Sequence, residues 1–163
     1  MEYSIEAEGL SKIYVRGREK IHALTDIGLS IAKGDFCSIV GPSGSGKTTL
    51  LNLIGCLDAP TSGRLKIKGV DVTGLPENKM VRLRRNYMGF VFQQFFLIPT
   101  LTVYENIELP LLFRKKKTAR SKIESILKMV GLEDRARPPP FHPSVKEMQR
   151  VAIGRALVNE PEI

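Results

Sequence analysis

The sequence predicts an α/β fold, on the evidence of one strand, loop and helix unit in its first third. The run DFCSIV at 35–40 has the composition of a buried strand, and a glycine-rich loop follows it at 41–46. The mostly apolar run KTTLLNLIGCL then begins at residue 47 and is typical of a helix that stops before Pro60.

Other strands are predicted on both sides of this unit. Strand-like runs cover 3–8 and 26–31, and a hairpin-like stretch covers 63–72. The run YMGFVFQ at 87–93 again has the pattern of a buried strand.

The last third of the chain is predicted to be helical. Apolar residues recur at helical spacing over 118–130, and Gly131 stands where a C-terminal cap belongs. Ser144 lies three residues before Glu147, which predicts a capping box at the start of a helix that runs to about Val158.

The composition is that of one globular domain. The chain has 163 residues, 42% of them hydrophobic, and it has no apolar run near the ~20 residues that cross a bilayer. Its first residues, MEYSIEAEGL, lack the basic and apolar regions of a secretion signal, which predicts a cytoplasmic location.

The two cysteines, Cys37 and Cys56, are expected to be buried thiols that act as small apolar side chains.

The formal charge of +8 is concentrated in two clusters: Arg82, Arg84 and Arg85, and then Arg114, Lys115, Lys116 and Lys117. No aromatic residues alternate with the second cluster as they would in a base-stacking surface, so we expect no nucleic acid partner. Both clusters are interpreted as solvated loops, and contact with lipid headgroups or a partner protein is the alternative.

The loop at 41–46 matches the phosphate-binding pattern G-x-x-x-x-G-K-[S/T]. Its glycines allow backbone N–H groups to converge on phosphate oxygens, the lysine reaches the β- and γ-phosphates, and the threonine hydroxyl ligates Mg²⁺. The alternative is an ordinary glycine-serine turn. The residues predicted to bind the nucleotide are Gly41, Ser43, Gly44, Ser45, Gly46, Lys47, Thr48 and Thr49.

Longer stretches of the chain resemble the ATPases of ABC transporters. These are GLSKIYVRG, GPSGSGKTTLLNLIGCLDAPTSGRLKIKGVDV, GFVFQQFFLIPTLTVYENIELPLLF and RVAIGRALVNEPEI. The third is similar to the form of the lipoprotein-releasing and macrolide-exporting branch. The resemblance implies a P-loop NTPase core with an N-terminal antiparallel β subdomain and a helical subdomain, with the C-terminal part of the parallel sheet missing.

The same resemblance implies a partial nucleotide-binding domain over 1–163. Residues 1–93 would form the ATP-binding core and β subdomain, 94–143 the Q-loop and helical subdomain, and 144–163 an altered signature helix. The expected cofactors are ATP and Mg²⁺.

Two further site residues are implied by the resemblance. Tyr14, in SKIY, would stack on adenine, and a core or strand tyrosine is the alternative. Gln93 would ligate Mg²⁺ together with Thr48 and act at the attacking water, and the alternatives are Gln94 or an unrelated loop role.

The sequence departs from the family at its signature motif, L-S-G-G-Q or L-S-G-G-E. Aligning this motif places Pro143, Ser144, Val145, Lys146 and Glu147 there, so the serine is kept and both glycines are lost. In the family this serine caps the γ-phosphate of ATP held by the opposite subunit, and close backbone approach requires the glycines.

The chain ends at NEPEI, where the family would begin the strand leading to the Walker B aspartate and the catalytic glutamate. His22 and His142 do not occupy the position of the family's switch histidine. We therefore expect the 163-residue chain to be inactive in hydrolysis. Three explanations of the altered signature and of the early end stay open. They are a truncated reading of a longer gene, a compensated frame disturbance over 138–146, and an end point chosen in cloning.

The expected function is that of an ATP-binding subunit that couples ATP binding and hydrolysis to export or lipoprotein release. Its partners would be a second such subunit and a membrane permease that contacts 95–113 on the cytoplasmic face of the cell membrane. One alternative is a remnant that only binds nucleotide or does nothing. The other, a nucleic-acid maintenance ATPase, would need a coiled-coil or zinc insertion between Gln93 and Ser144, and the sequence has none.

Overall fold

The computed structural model describes residues 2–114, 120–135 and 144–163. The chain separates into two compact units, of which the first ends at Leu83 and the second begins at Arg84. The division at residue 93 stays a prediction.

The first unit contains an antiparallel sheet, which the expected β subdomain requires. Its strands are β1 (Tyr3–Arg16), β2 (Glu19–Ala32), β3 (Ser62–Ile67) and β4 (Val70–Asp71), in the order β2-β1-β3-β4. The first two strands extend well beyond the predicted 3–8 and 26–31, because they form one long hairpin in which Arg16 pairs with Glu19. Side chains that alternate along the strands are buried on one face: Ile5, Ala7, Leu10, Leu65 and Ile67.

Helix α1 (Lys47–Ile54) begins where the sequence predicts and buries Leu50, Leu53 and Ile54. Gly55 ends it, so the helix is shorter than the run to Pro60 suggests. A second helix, α2 (Glu77–Tyr87), was not predicted. The boundary between the two units falls inside α2.

The prediction of a buried strand at 35–40 is wrong for this structure. These residues have no regular secondary structure, and Phe36 and Val40 are 99% and 84% exposed. Cys37 is exposed as well, contrary to expectation, whereas Cys56 is buried. A strand exists only when a neighbouring strand accepts its ladder of hydrogen bonds, and none of the described strands pairs with 35–40.

The strand predicted at 87–93 is also not assigned, because Tyr87 ends α2 and the residues after it are irregular. The backbone nevertheless pairs locally with residue 163. The Ile163 N–H donates to the Tyr87 carbonyl at 2.9 Å, and the Gly89 N–H donates to the Ile163 carbonyl at 2.9 Å. This alternation is the hydrogen-bond pattern of parallel strands.

In its described residues the second unit contains the end of α2, the helices α3 (Val103–Phe113), α4 (Arg120–Met129) and α5 (Val145–Leu157), and a short 3₁₀ turn at Glu133–Arg135. Their apolar faces form one core, composed of Val103, Ile107, Leu111, Ile123, Ile126, Leu127, Leu132, Val151 and Val158. No helix in the described ranges is both long enough and apolar enough to cross a membrane.

The predicted ends of these helices are confirmed where the structure describes them. Gly131 has a φ of +65°, and the Leu132 N–H donates to the Leu127 carbonyl at 2.9 Å, which caps α4. Ser144 and Glu147 form the predicted capping box of α5. Residues 118–119 of the predicted helix lie outside the described residues.

A buried asparagine that the sequence pattern did not single out fixes the segment before α3. Asn106 is completely buried, and its side-chain amide donates to the carbonyls of Ile98, Leu101 and Thr102 at 3.0–3.2 Å. Its side-chain oxygen accepts from the Ile98 N–H at 2.9 Å. Every polar group of this amide is satisfied, so residues 98–102 are held to the first turn of α3.

Candidate functional site

The glycine-rich loop leads into α1 through Gly46, whose backbone is left-handed with a φ of +88°. A Cβ at this position would lie 2.4 Å from the Ala23 carbonyl oxygen and 2.8 Å from the Leu24 Cδ2 atom. Both the dihedral and the space therefore require glycine. This contact places the first turn of α1 directly against β2.

Lys47, the first residue of α1, folds back over the loop. Its Nζ atom donates to the carbonyls of Gly41 at 3.0 Å and Pro42 at 2.7 Å, and to the Ser45 hydroxyl at 3.4 Å. These acceptors are neutral, and no carboxylate in the described residues pairs with this ammonium. The positive charge of the Lys47 ammonium therefore lies at the loop without a negative partner among the described residues.

The N-terminus of α1 adds backbone donors at the same place. The N–H groups of Lys47, Thr48 and Thr49 precede the first hydrogen bond of the helix, which runs from the Leu50 N–H to the Gly46 carbonyl at 2.9 Å. Gly46 offers no side chain as a cap. Free donors, the positive end of the helix dipole and the lysine together suit the oxygens of a phosphate.

Tyr14 reaches the same end of the first unit. Its hydroxyl donates to Asp58 Oδ2 at 2.8 Å, and the Thr49 side chain at the start of α1 is near enough to the phenol to lower its pKa slightly. The Lys12 Nζ lies 4.8 Å from the centre of the Tyr14 ring and also donates to Asp58 Oδ1 at 2.6 Å. The structure therefore brings the predicted base-stacking residue to the predicted phosphate site.

The pKa values of this cluster reflect its contacts. Burial, followed by the hydrogen bond to Asp58, raises the pKa of the Tyr14 phenol above its usual value. Burial raises the pKa of the Asp58 carboxyl as well, but hydrogen bonds from Lys12, Tyr14 and the Ala59 N–H outweigh this effect and keep that pKa below its usual value. Tyr14 is therefore a neutral donor and Asp58 a charged acceptor near neutral pH.

Gln93 lies in the second unit, in an exposed turn that follows Phe92. Gln94 beside it is exposed too, so exposure does not distinguish the two glutamines. Thr48 belongs to the first unit. The assignment of Mg²⁺ to Thr48 and Gln93 together stays a prediction.

The turn that carries Gln93 has an unusual backbone. Phe95 and Phe96 have φ values of +58° and +46°, which side-chain-bearing residues seldom adopt. Arg155 of α5 donates to the Phe96 carbonyl at 2.6 Å and to the Phe95 carbonyl. Burial lowers the pKa of this guanidinium, but a guanidinium remains charged at any physiological pH. The charge of Arg155 therefore offsets part of the strain in the turn.

Ser144, another predicted site residue, is the N-cap of α5. Its hydroxyl donates to Glu147 Oε2 at 2.8 Å and accepts from the Glu147 N–H at 3.3 Å. Val145, in place of a family glycine, is exposed. Pro143 and His142 lie outside the described residues, and a role for Ser144 at a partner's nucleotide stays a prediction.

Sequence reasoning missed Lys12, Asp58 and Arg155. Lys12 could have been found, because it lies two residues before Tyr14 on β1 and thus shares its face of the strand. Asp58 and Arg155 meet their partners from 44 and 59 residues away along the chain. No short motif signals such contacts. The described residues contain no group of three or more His, Cys, Asp or Glu side chains that could hold a metal ion.

Comparison with known proteins finds the same kind of domain. The profile of the ABC transporter family matches residues 24–163. The chain is 46% identical to the uncharacterized ABC transporter ATP-binding protein MJ0796 of Methanocaldococcus jannaschii, over 98% of this chain and 70% of that one. It is 42% identical to the macrolide export ATP-binding/permease protein MacB of Salmonella typhi, over 98% of this chain and 25% of that one.

Solved structures agree with the sequence comparison. The dimeric structure of the MJ0796 cassette superposes on this chain with a TM-score of 0.88 at 45% identity, over 96% of this chain and 70% of that one. A second structure, of a post-hydrolysis state of MJ0796 bound to ADP and Pi, gives the same TM-score.

The close contact at Gly46 generates a prediction about stability. Gly46→Ala should lower the free energy of unfolding by more than Gly44→Ala, measured by urea denaturation of the 163-residue chain. Both glycines have positive φ, so each substitution costs about 1–2 kcal/mol in backbone strain. At Gly44 a Cβ would meet nothing within 4 Å, whereas at Gly46 it meets the backbone of Ala23. Equal losses would contradict the contact.

Proposed function

Because the chain belongs to the ABC transporter family, we propose that it binds ATP at the loop formed by 41–49 and serves as the ATP-binding subunit of a transporter. The observation that carries this proposal is the ammonium of Lys47, which donates to neutral acceptors of the loop and pairs with no carboxylate in the part of the chain that the structure describes. Phosphate oxygens are better acceptors for this cation than carbonyls are, because they are charged.

The roles of the individual residues follow from their positions. The N–H groups at the start of α1 would donate to the phosphates, with Ser43, Ser45 and Thr49 beside them and Lys47 at the β- and γ-phosphates. Tyr14 would stack on the adenine. Mg²⁺ would be held by the Thr48 hydroxyl and the Gln93 amide oxygen, and when bound it would neutralise charge between the phosphates.

The binding site is tested by removing the cation. Lys47→Ala should weaken MgATP binding at least tenfold in a calorimetric titration, a loss of about 1.4 kcal/mol or more. The matched control is Lys33→Ala, which removes an exposed lysine of the same unit that pairs with Glu2 at 3.6 Å. Unchanged affinity of Lys47→Ala, or an equal loss in the control, would contradict the site assignment.

A second copy of the subunit is the first proposed partner. The similar cassette MJ0796 has a dimeric solved structure. In such a dimer Ser144 would face the nucleotide of the other subunit. Val145 and Lys146 replace the family's glycines there, and their side chains would hinder close approach of the backbone to a γ-phosphate. Light scattering with and without ATP measures the dimer directly.

A membrane permease is the second proposed partner, because the similar protein MacB is a macrolide export ATP-binding/permease protein. The end of α3 exposes Leu112 and Phe113, at 58% and 66%. Nearby lies an open cleft of about 340 Å³, lined by Arg85, Asn86, Tyr87 and Arg114. Apolar and arginine side chains together are typical of protein interfaces. The subunit would then lie on the cytoplasmic face of the membrane and drive export or lipoprotein release.

This partner is tested by photocrosslinking in native membranes. A crosslinking amino acid at Phe113 should capture a membrane-embedded protein in high yield. The same group at Met129, which is exposed at 68% on α4, is the control and should give little product. Equal yields at the two positions, or capture of soluble proteins only, would contradict docking at the end of α3.

Hydrolysis should be at background for the 163-residue polypeptide. By resemblance, the general base and the Walker B aspartate are supplied by residues that these 163 do not include, and removal of a positioned base costs about 10²–10⁴ in rate. Val145→Gly with Lys146→Gly should not restore turnover. A phosphate-release assay measures this, and turnover that Lys47→Ala abolishes would show that the chain hydrolyses ATP by itself.

The binding-only alternative differs from the transporter role in predicting that a crosslinking amino acid at Phe113 captures no membrane protein.

A further inference from the structure

The side chain of Tyr14 is held in place at both of its ends. Its hydroxyl donates to Asp58 Oδ2 at 2.8 Å, and the Lys12 ammonium lies 4.8 Å from the centre of its ring. Lys12 also donates to Asp58 Oδ1 at 2.6 Å and to the Ala59 carbonyl at 2.7 Å. One carboxylate thus fixes both the phenol and the cation that covers one face of the ring.

Asp58 is itself fixed to α1. The Leu57 and Asp58 N–H groups both donate to the Asn52 carbonyl, at 2.8 and 3.3 Å, and the Gly55 N–H donates to the Leu51 carbonyl at 2.8 Å. The carboxylate is therefore attached to the end of the helix whose first turn forms the phosphate site. The Thr49 side chain of that first turn is near enough to the Tyr14 phenol to influence its pKa.

We propose that Asp58, together with Lys12, is a positioning residue that sets the Tyr14 ring at a fixed distance from the phosphate loop and so prepares it to stack on a nucleotide base. This inference rests on the proposed binding of ATP at 41–49. It extends that proposal to two residues that would touch neither the phosphates nor the base.

The physical reason is the conformational freedom that binding would otherwise remove. Tyr14 is 37% exposed near the end of β1, where a tyrosine without these contacts could rotate about its side-chain bonds. A ring that is already oriented loses less entropy when a base stacks on it. Because Lys12 covers one face, the base would stack on the opposite face, and stacking does not distinguish adenine from guanine.

The test compares ligands with and without a base. The full chain carrying Asp58→Ala should bind MgATP and MgGTP about two- to tenfold more weakly, the fold-change that corresponds to the net contribution of one ordinary hydrogen bond. Its affinity for inorganic tripolyphosphate, which has no base, should change by less than about twofold. Asp71→Ala is the matched control, because Asp71 is an exposed carboxylate of the same unit that pairs with Arg64 at 3.4 Å.

A double substitution separates positioning from general structure. In a Tyr14→Ala background, Asp58→Ala should cause no further loss of ATP affinity, since the ring on which it acts is gone. Tyr14→Phe keeps the ring and removes the hydroxyl, and it should weaken ATP binding but not tripolyphosphate binding.

Other results would contradict the positioning role of Asp58, the proposed nucleotide site, or both. Equal losses for ATP and tripolyphosphate, or a full effect of Asp58→Ala without the Tyr14 ring, would show that Asp58 supports the loop and not the ring. Unchanged ATP affinity in Asp58→Ala, with a loss in Lys47→Ala, would overturn the positioning role alone. Unchanged affinity in Lys47→Ala as well would overturn both this role and the proposed nucleotide site.

Discussion

The close approach of Gly46 to the backbone of Ala23 is the contact on which the candidate site depends. It leaves no room for a Cβ and places the first turn of α1 against β2. Because β2 pairs with β1 throughout its length, the same contact fixes α1 relative to Tyr14. A larger residue at 46 would separate the helix from the sheet, and with it the phosphate loop from the aromatic side chain.

Local patterns predicted the parts of the fold that local chemistry determines. The loop at 41–46, the start of α1 at Lys47, the cap at Gly131 and the box of Ser144 and Glu147 each depend on a few neighbouring residues, and the structure has all of them. The ABC-type fold was also predictable, because several motifs occur in the family's order.

The absence of strands at 35–40 and 87–93 could not be predicted in the same way. An apolar run becomes a strand only beside a partner, and the run itself does not show whether that partner is present. Met88 and its neighbours show the intermediate case, in which one residue, Ile163, forms a parallel pairing too short to count as a strand. Cys37 is exposed for the same reason. The contact of Tyr14 with Asp58 was equally beyond sequence reasoning, since it joins residues 44 positions apart.

The position of Lys47 has a further consequence for how the loop behaves before any ligand arrives. Its ammonium donates to the carbonyls of both Gly41 and Pro42 and so links the start of the loop to the first residue of α1. Anion binding then becomes an exchange of acceptors by one cation, with little reordering of the chain. Much of the conformational entropy of ordering the loop is therefore lost during folding, when the packing of α1 against the sheet compensates for it. Less remains to be lost when an anion binds.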